Sequence, residues 1–399
     1  MKILLANKFF HLNGGSETVF FQEREFLLKQ GHKVVDFSMA DERNLDSPFA
    51  SSFVPNINYQ NSKGIKDKLG QGASLIHSPI AVKNISQLAQ QEKPEIAHLH
   101  NIYHQLTPSI IPALKKQGIK VVLTLHDYKL VCPGYLALKN EAICNDCAGR
   151  NFWKPFTTNC QNSRLQGLLL AAEAMFHQWR GSYDGVDLFI APSRFLADLV
   201  GKRIAPKKIR VLRNGIDVDR FQPNYQDQGY GLYFGRLSKE KGVTTLLAAH
   251  RQLATEIPLK IVGTGPLADE LQTRYPKAEF LGYKTGRELN ELIANAAFVV
   301  VPSEWYENCS MVVLEAMALG KPIIGSRIGG IPEQIEDGQT GFLFEMGNEA
   351  ELADKMKILA SDQDLRKNMG KAARAKLEKD YSLKNHCDEL LKIYNELTD

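Results

Sequence analysis

Short apolar runs bounded by polar or turn residues recur at residues 2–6, 33–37, 95–99, 120–125 and 186–191. Runs of this kind, without strict alternation, predict strands buried on both faces, as in a parallel sheet. Helical patterns fall between several of them, for example over 16–30, where Gly31 ends the pattern. The series restarts after about residue 214, with strand-like segments at 229–235, 259–263, 297–302, 322–325 and 341–344. The chain closes with an uninterrupted helical pattern over 382–397. Two such series predict an α/β protein of two doubly wound, Rossmann-like domains. The turn-rich segment Arg213-Asn214-Gly215-Ile216-Asp217 marks the junction. The expected division is therefore 1–213, 214–380 and a terminal helix in 381–399. Ligands in such folds bind beyond the carboxyl ends of the strands, and two facing domains place the site in the cleft between them.

Composition agrees with this picture. The chain has 399 residues, 44% apolar and 24% charged, which suits a globular protein of two or three domains. The longest apolar run, 296–301, stops at Pro302, far short of the ~20 residues that span a bilayer. The N-terminal run is too short for a signal peptide and reads as an opening strand. A cytoplasmic location with reduced thiols is expected. Lys and Arg outnumber Asp and Glu by 20 to 16 over residues 1–193 and equal them at 29 to 29 over 194–399, so the net charge of +4 sits in the first half. That excess suits an anionic partner there, such as a membrane surface or a lipid diphosphate, or else an ordinary solvated surface. It is far below the basic density of a nucleic-acid binder.

Four post-strand segments in the second half carry candidate chemistry. Gly235-Arg236-Leu237 with Lys241-Gly242 puts two cations after a strand, a planar fork and a point charge suited to a diphosphate. Gly263-Thr264-Gly265-Pro266 is a glycine-rich turn without the third glycine of a dinucleotide fingerprint. In the third segment a helix is expected to begin near Ser310 and end at Gly320, leaving its first amides free for phosphate oxygens. Glu307 precedes that helix and Glu315 lies about a turn inside it, so the two acids reach different parts of one ligand rather than forming a dyad. The fourth, Gly329-Gly330-Ile331-Pro332-Glu333, lets backbone approach a ligand closely or forms a plain turn.

These segments, with Asn214-Gly215-Ile216-Asp217, Phe280-Leu281-Gly282, Gly338 and Thr340-Gly341, resemble the retaining glycosyltransferases of family 4, which have the two-domain GT-B architecture. The resemblance covers roughly residues 190–345, with the motifs in the family's order. It implies that Arg236 and Lys241 bind the donor diphosphate, that Glu315 holds the ribose hydroxyls, and that Glu307 meets the sugar near the reacting carbon. Gly265, Asn308 and the amides of Ser310, Met311 and Val312 would line the donor, and Tyr283 and Lys284 would lie along the base. The terminal helix would cross back onto the first domain.

In the first half, Asn13-Gly14-Gly15-Ser16-Glu17 opens a helix and suits an anionic group. In the family a similar loop faces donor and acceptor, which places Gly15 on the donor side and Gly14 on the acceptor side. His98-Leu99-His100-Asn101 and Thr124-Leu125-His126-Asp127-Tyr128 end two strands. By the resemblance His126 reaches the donor sugar. His100 and Asn101 are expected to touch the acceptor or to organise the loop. Cys132, Cys144, Cys147 and Cys160 follow the spacing C-x11-C-x2-C-x12-C, within a polar, turn-rich insertion. This spacing fits a structural zinc site of four thiolates, reduced thiols or disulfides. Certain bacterial polysaccharide-assembly members of the family carry similar cysteines. The stretch 163–180, with Arg164, Arg180, Leu168-Leu169-Leu170 and Trp179, suits either core packing or a membrane surface.

The expected reaction moves a sugar from a nucleoside diphosphate donor, of UDP or GDP type, to a hydroxyl of a glycan or polyprenyl-diphosphate-linked acceptor, with retained anomeric configuration. No catalytic metal or organic cofactor is expected, because neither Asp217-Val218-Asp219 nor Asp362-Gln363-Asp364 follows a donor-side strand. The alternatives are an epimerase or phosphorylase of similar architecture, or a non-catalytic subunit that binds a nucleotide sugar.

Overall fold

The computed structural model describes residues 1–56, 74–140, 142–253 and 257–399. Strands β1 (Lys2–Ala6), β2 (Lys33–Phe37), β3 (Ile96–Leu99), β4 (Lys120–Thr124), β7 (Leu188–Ala191) and β8 (Ile209–Val211) form one parallel sheet, in the order β2-β1-β3-β4-β7-β8. Between β4 and β7, β5 (Leu138–Lys139) and β6 (Ala142–Ile143) make a small antiparallel pair in the cysteine-bearing insertion. The second parallel sheet takes β9 (Gly231–Phe234), β10 (Leu259–Val262), β11 (Glu279–Phe280), β12 (Phe298–Val301), β13 (Ile323–Ser326) and β14 (Gly341–Phe344), in the order β11-β10-β9-β12-β13-β14. The predicted α/β architecture of two doubly wound sheets is what the chain adopts. The unanticipated strands are short edge strands such as β8, whose Arg210 and Val211 are exposed and leave no buried apolar run to read.

Burial on both faces explains the absence of alternation. Along β1, Leu4 packs with Val35, Ile85 and Ile110 on one face, while Ile3 and Leu5 pack with Phe20 and Leu27 on the other. The second face is covered by the last helix, Leu383–Thr398, which contributes Leu390, Ile393 and Tyr394. Each such side chain gains about 1.5–3 kcal/mol on burial, before the cost of ordering it. The last helix follows the second sheet in sequence but belongs by packing to the first. The chain thus crosses between the halves twice, and the crossings touch. Ile216 N donates to Tyr381 O and Leu383 N donates to Ile216 O, both at 2.9 Å.

Candidate functional site

Each sheet has a point where its connections diverge. In the first it lies between β1 and β3, in the second between β9 and β12, and a crevice opens there at the carboxyl ends of the strands. The loops after these strands meet one another. A Cβ built on Gly15 would sit 3.3 Å from Met311 Cγ, so these two predicted donor-binding positions face each other.

Lys241 ends the short turn Lys239–Lys241 after β9, with its Nζ 2.6 Å from Glu307 Oε1 and over the Trp305 ring. Ser303 Oγ and Trp305 Nε1 donate to the same oxygen at 3.0 and 2.9 Å. Burial opposes charge on Glu307, but Lys241 and these hydrogen bonds outweigh it and hold the carboxyl below its ordinary range. Glu307 Oε2 has no partner among the described residues and stays available as an acceptor. Arg236, also after β9, is exposed, and its side chain makes no polar contact among the described residues.

The helix Met311–Ala318 begins where the sequence predicts, with Ser310 as an extended N-cap that makes no side-chain cap bond. The amides of Met311 and Val312 therefore lack an acceptor among the described residues and carry the positive end of the helix dipole. Ser310 itself departs from the expectation. Its amide donates to Gln334 Oε1 at 2.8 Å and its carbonyl accepts from Gln334 Nε2 at 3.0 Å, so its backbone is occupied within the protein. A side-chain amide from the following strand–helix unit competes for the group expected to meet the ligand.

The side chain of Glu315, on the next turn, makes no hydrogen bond or ion pair among the described residues, and burial pushes its carboxyl up to about 7. The raised value means the fold binds this proton more tightly than the unfolded chain does. The stability that protonated Glu315 contributes is therefore fully present below the ordinary carboxylate value and is lost as pH rises through about 7. Ligand-free Glu315→Gln is expected to melt above the parent chain at about pH 8. The difference should close as pH falls towards 4.5, which paired melting curves would measure.

Asn308, expected on the donor, is turned instead to the first half. Its Oδ1 accepts from Tyr128 Oη and its Nδ2 donates to His126 O at 2.9 Å. The Gly329-Gly330 turn meets the chain's own loop rather than open cleft. A Cβ on Gly330 would lie 1.9 Å from Asn308 O, and Gly330 N donates to Glu307 O at 2.6 Å. Gly265 likewise packs against the backbone of Leu237, whose amide donates to Thr264 O. Tyr283 stands 73% exposed.

On the facing side, His126 Nε2 is 2.9 Å from His100 Nδ1. Burial, then the neighbouring His100, lowers His126 to about 3, so it is neutral near pH 7. His100, expected to touch the acceptor or to organise the loop, is buried. It is 1% exposed, stacks on the His126 ring and meets the edge of Phe20. Asn101 has its backbone bonded to Asn7 Oδ1 and Lys8 N. Gly14 caps the helix Gly15–Lys29 and accepts from Thr18.

The interface also rests on contacts that were not legible in the sequence. The Tyr306 ring packs between Tyr128 and Phe195, and its hydroxyl accepts from Asn145 at 2.9 Å. Glu333 accepts the amides of Arg194 and Phe195 at 2.9 and 2.8 Å, joining the halves. Glu23 lies buried beside His98 and His100. Its signal is a charge on the face of the helix that also buries Val19, Phe20 and Leu27.

The four cysteines of the insertion are free of disulfides. Burial, then Cys132, Cys144 and Cys160, pushes the Cys147 thiol up to about 12, so the thiols lie within electrostatic reach of one another. Among the described residues no three of the sulfurs lie within 4.8 Å of each other. Asn145, between Cys144 and Cys147, is the residue that reaches Tyr306.

Residues 13–220 match the family described as Glycosyltransferase Family 4, and residues 216–376 that described as Glycosyl transferases group 1. An uncharacterized glycosyltransferase of Methanocaldococcus jannaschii is 27% identical over 326 residues, 80% of each chain. N-acetyl-alpha-D-glucosaminyl L-malate synthase of Bacillus anthracis is 27% identical over 312 residues, 73% of this chain and 71% of that one. Among solved structures, Anabaena HepE in complex with UDP-glucose is similar over the full length of both chains, with a TM-score of 0.70 at 18% identity, which speaks to the fold alone. With over half its length matched, the chain belongs to Glycosyltransferase Family 4 and is a glycosyltransferase.

Proposed function

We propose that the chain transfers a sugar from a nucleoside diphosphate sugar to a hydroxyl of a glycan or lipid-linked glycan, with retention. The observation that carries this reading is the run from Lys241 and Glu307, through the free amides of Met311 and Val312, to the unpartnered Glu315. It offers cations and amides for a diphosphate, and separate carboxylates for a sugar and a ribose. As the glycosidic bond breaks, charge grows on the leaving diphosphate, and Lys241, Arg236 and the amides stabilise it without reorganising. Lys241 exchanges Glu307 for phosphate oxygens, Glu307 Oε2 accepts from the sugar, and His126 closes the opposite side. Retention follows from attack on the face the diphosphate leaves, with the leaving phosphate taking the hydroxyl proton. Both Asp-x-Asp pairs have structural uses, since Asp217 pairs with Arg220 and Asp362 caps a helix, which supports transfer without a metal at the diphosphate.

A thermal-shift series with UDP, GDP and ADP tests this reading. UDP or GDP should raise the melting temperature as its concentration passes the dissociation constant, and Lys241→Ala should weaken that rise. No shift with any nucleotide would sink the proposal. The complex of HepE with UDP-glucose puts UDP first in the series.

A structural zinc held by Cys132, Cys144, Cys147 and Cys160 fits the thiol chemistry and the C-x2-C turn, with the sulfurs drawn closer than they stand here. Elemental analysis of the purified chain is expected to find about one zinc per molecule, lost in Cys144→Ser. Metal-free wild-type protein would end that assignment.

No helix among the described residues is long and apolar enough to cross a membrane. Leu165 and Trp179 at the two ends of the helix Arg164–Trp179 are 68% and 85% exposed, beside Arg164 and Arg180. This supports contact with the cytoplasmic face of a membrane that carries the acceptor.

A further inference from the structure

Glu23 lies on the helix Gly15–Lys29 with its side chain 1% exposed, and no Lys or Arg among the described residues pairs with it. A buried carboxylate without a cation is costly, so imidazoles must balance it. Burial works against its charge, and the neighbouring imidazoles of His98, His100 and His386 together outweigh that effect and hold Glu23 well below the ordinary carboxylate range.

The hydrogen bonds identify where the protons sit. His386 Nδ1 is 2.6 Å from Arg213 O, and its Nε2 is 2.9 Å from Glu23 Oε1. Both oxygens only accept, so His386 stands between two acceptors, one of them this carboxylate. Glu23 Oε2 is left 3.4 Å from His98 Nδ1 and 3.5 Å from His100 Nε2. His98 has hydroxyl partners on both nitrogens, Tyr394 and Thr124, each at 2.7 Å. His100 Nε2 makes no regular hydrogen bond and stands beside that oxygen. A lone pair directed at a carboxylate is repelled, so Nε2 is the protonated nitrogen of His100 and Nδ1 the bare one. Nδ1 therefore accepts from His126 Nε2, 2.9 Å away, and His126 is left with a bare Nδ1 that has no partner among the described residues.

We propose that Glu23 and His100 are positioning residues for sugar transfer. A buried carboxylate fixes the tautomer of His126 through His100, so that His126 presents an acceptor nitrogen to the cleft. The inference rests on the placement of His126 at the sugar under the proposed function. It also ties the active-site histidine to the last helix, because the same carboxylate holds His386.

The test uses the full chain with 15N-labelled histidine, comparing wild type with Glu23→Gln by NMR and by steady-state kinetics. Wild-type His126 should show one neutral tautomer, protonated at Nε2. In Glu23→Gln that preference should be lost, with kcat lower by about 10–100-fold and KM for the donor little changed. If Glu23→Gln does not fold, His100→Asn and His100→Leu serve instead. Asn keeps an atom able to accept from His126 and should retain more kcat than Leu. An unchanged His126 tautomer in Glu23→Gln, or wild-type kcat in His100→Leu, would overturn the inference. A changed tautomer with unchanged kcat would instead overturn the role of His126 in the reaction.

Discussion

Glu307→Gln is expected to lower the rate of sugar transfer by about 10²–10³, the scale on which removal of one preorganised electrostatic group acts. Nucleotide affinity should stay the same or rise. The asymmetry of the carboxylate makes this a clean change. Oε1 takes all three internal hydrogen bonds, from Lys241, Ser303 and Trp305, and a glutamine oxygen can keep them. Only the free Oε2 changes, from an acceptor to a donor. Lys241 is held less tightly by an amide than by a carboxylate, so it moves more readily to a diphosphate. Initial rates with saturating donor, set beside nucleotide binding by calorimetry, separate the two effects. Transfer within twofold of wild type would remove Glu307 from the reaction.

Gly242→Ala should have the largest effect on stability. Gly242 has φ +67°, and a Cβ there would lie 1.7 Å from Pro302 O. The positive φ costs roughly 1–2 kcal/mol for an L-residue, and forcing a methyl into packed backbone about 1–3 kcal/mol more. The unfolding free energy of the second half is expected to fall by roughly 2–5 kcal/mol. The site suffers with it, because Lys241 precedes this glycine and Pro302 opens the loop that carries Glu307. Gly229→Ala is the control, with φ +75° and nothing within 4 Å of the added carbon. It bears the strain without the clash. Equal melting temperatures for the two variants would show that the contact with Pro302 O is soft.

The architecture was legible because each buried strand is a short apolar run of its own. The start of the helix at Ser310 was legible from the chain flanking Glu307 and Glu315. What sequence could not disclose is which polar groups the protein keeps for itself. Ser310 N and the Asn308 side chain are ordinary donor-site candidates until Gln334 and Tyr128, remote in sequence, arrive to take them. Gly329-Gly330 shows the same limit, since close approach of backbone is required there, but by the protein's own loop. Glu23 was hidden for a related reason. Its partners are His98, His100 and His386, the last 363 positions away, and only the returning helix brings it close.

That return has a mechanical consequence. Two connections between the halves, bonded side by side at Ile216 and Tyr381–Leu383, act as the knuckles of a single hinge pin. A lone linker would permit twist and slide as well as swing. Paired crossings constrain the first two more strongly than rotation about the line through them. Gly15 and Met311, facing each other across the cleft, then keep one register, which the contacts of Glu333, Asn308 and Tyr306 between the halves reinforce.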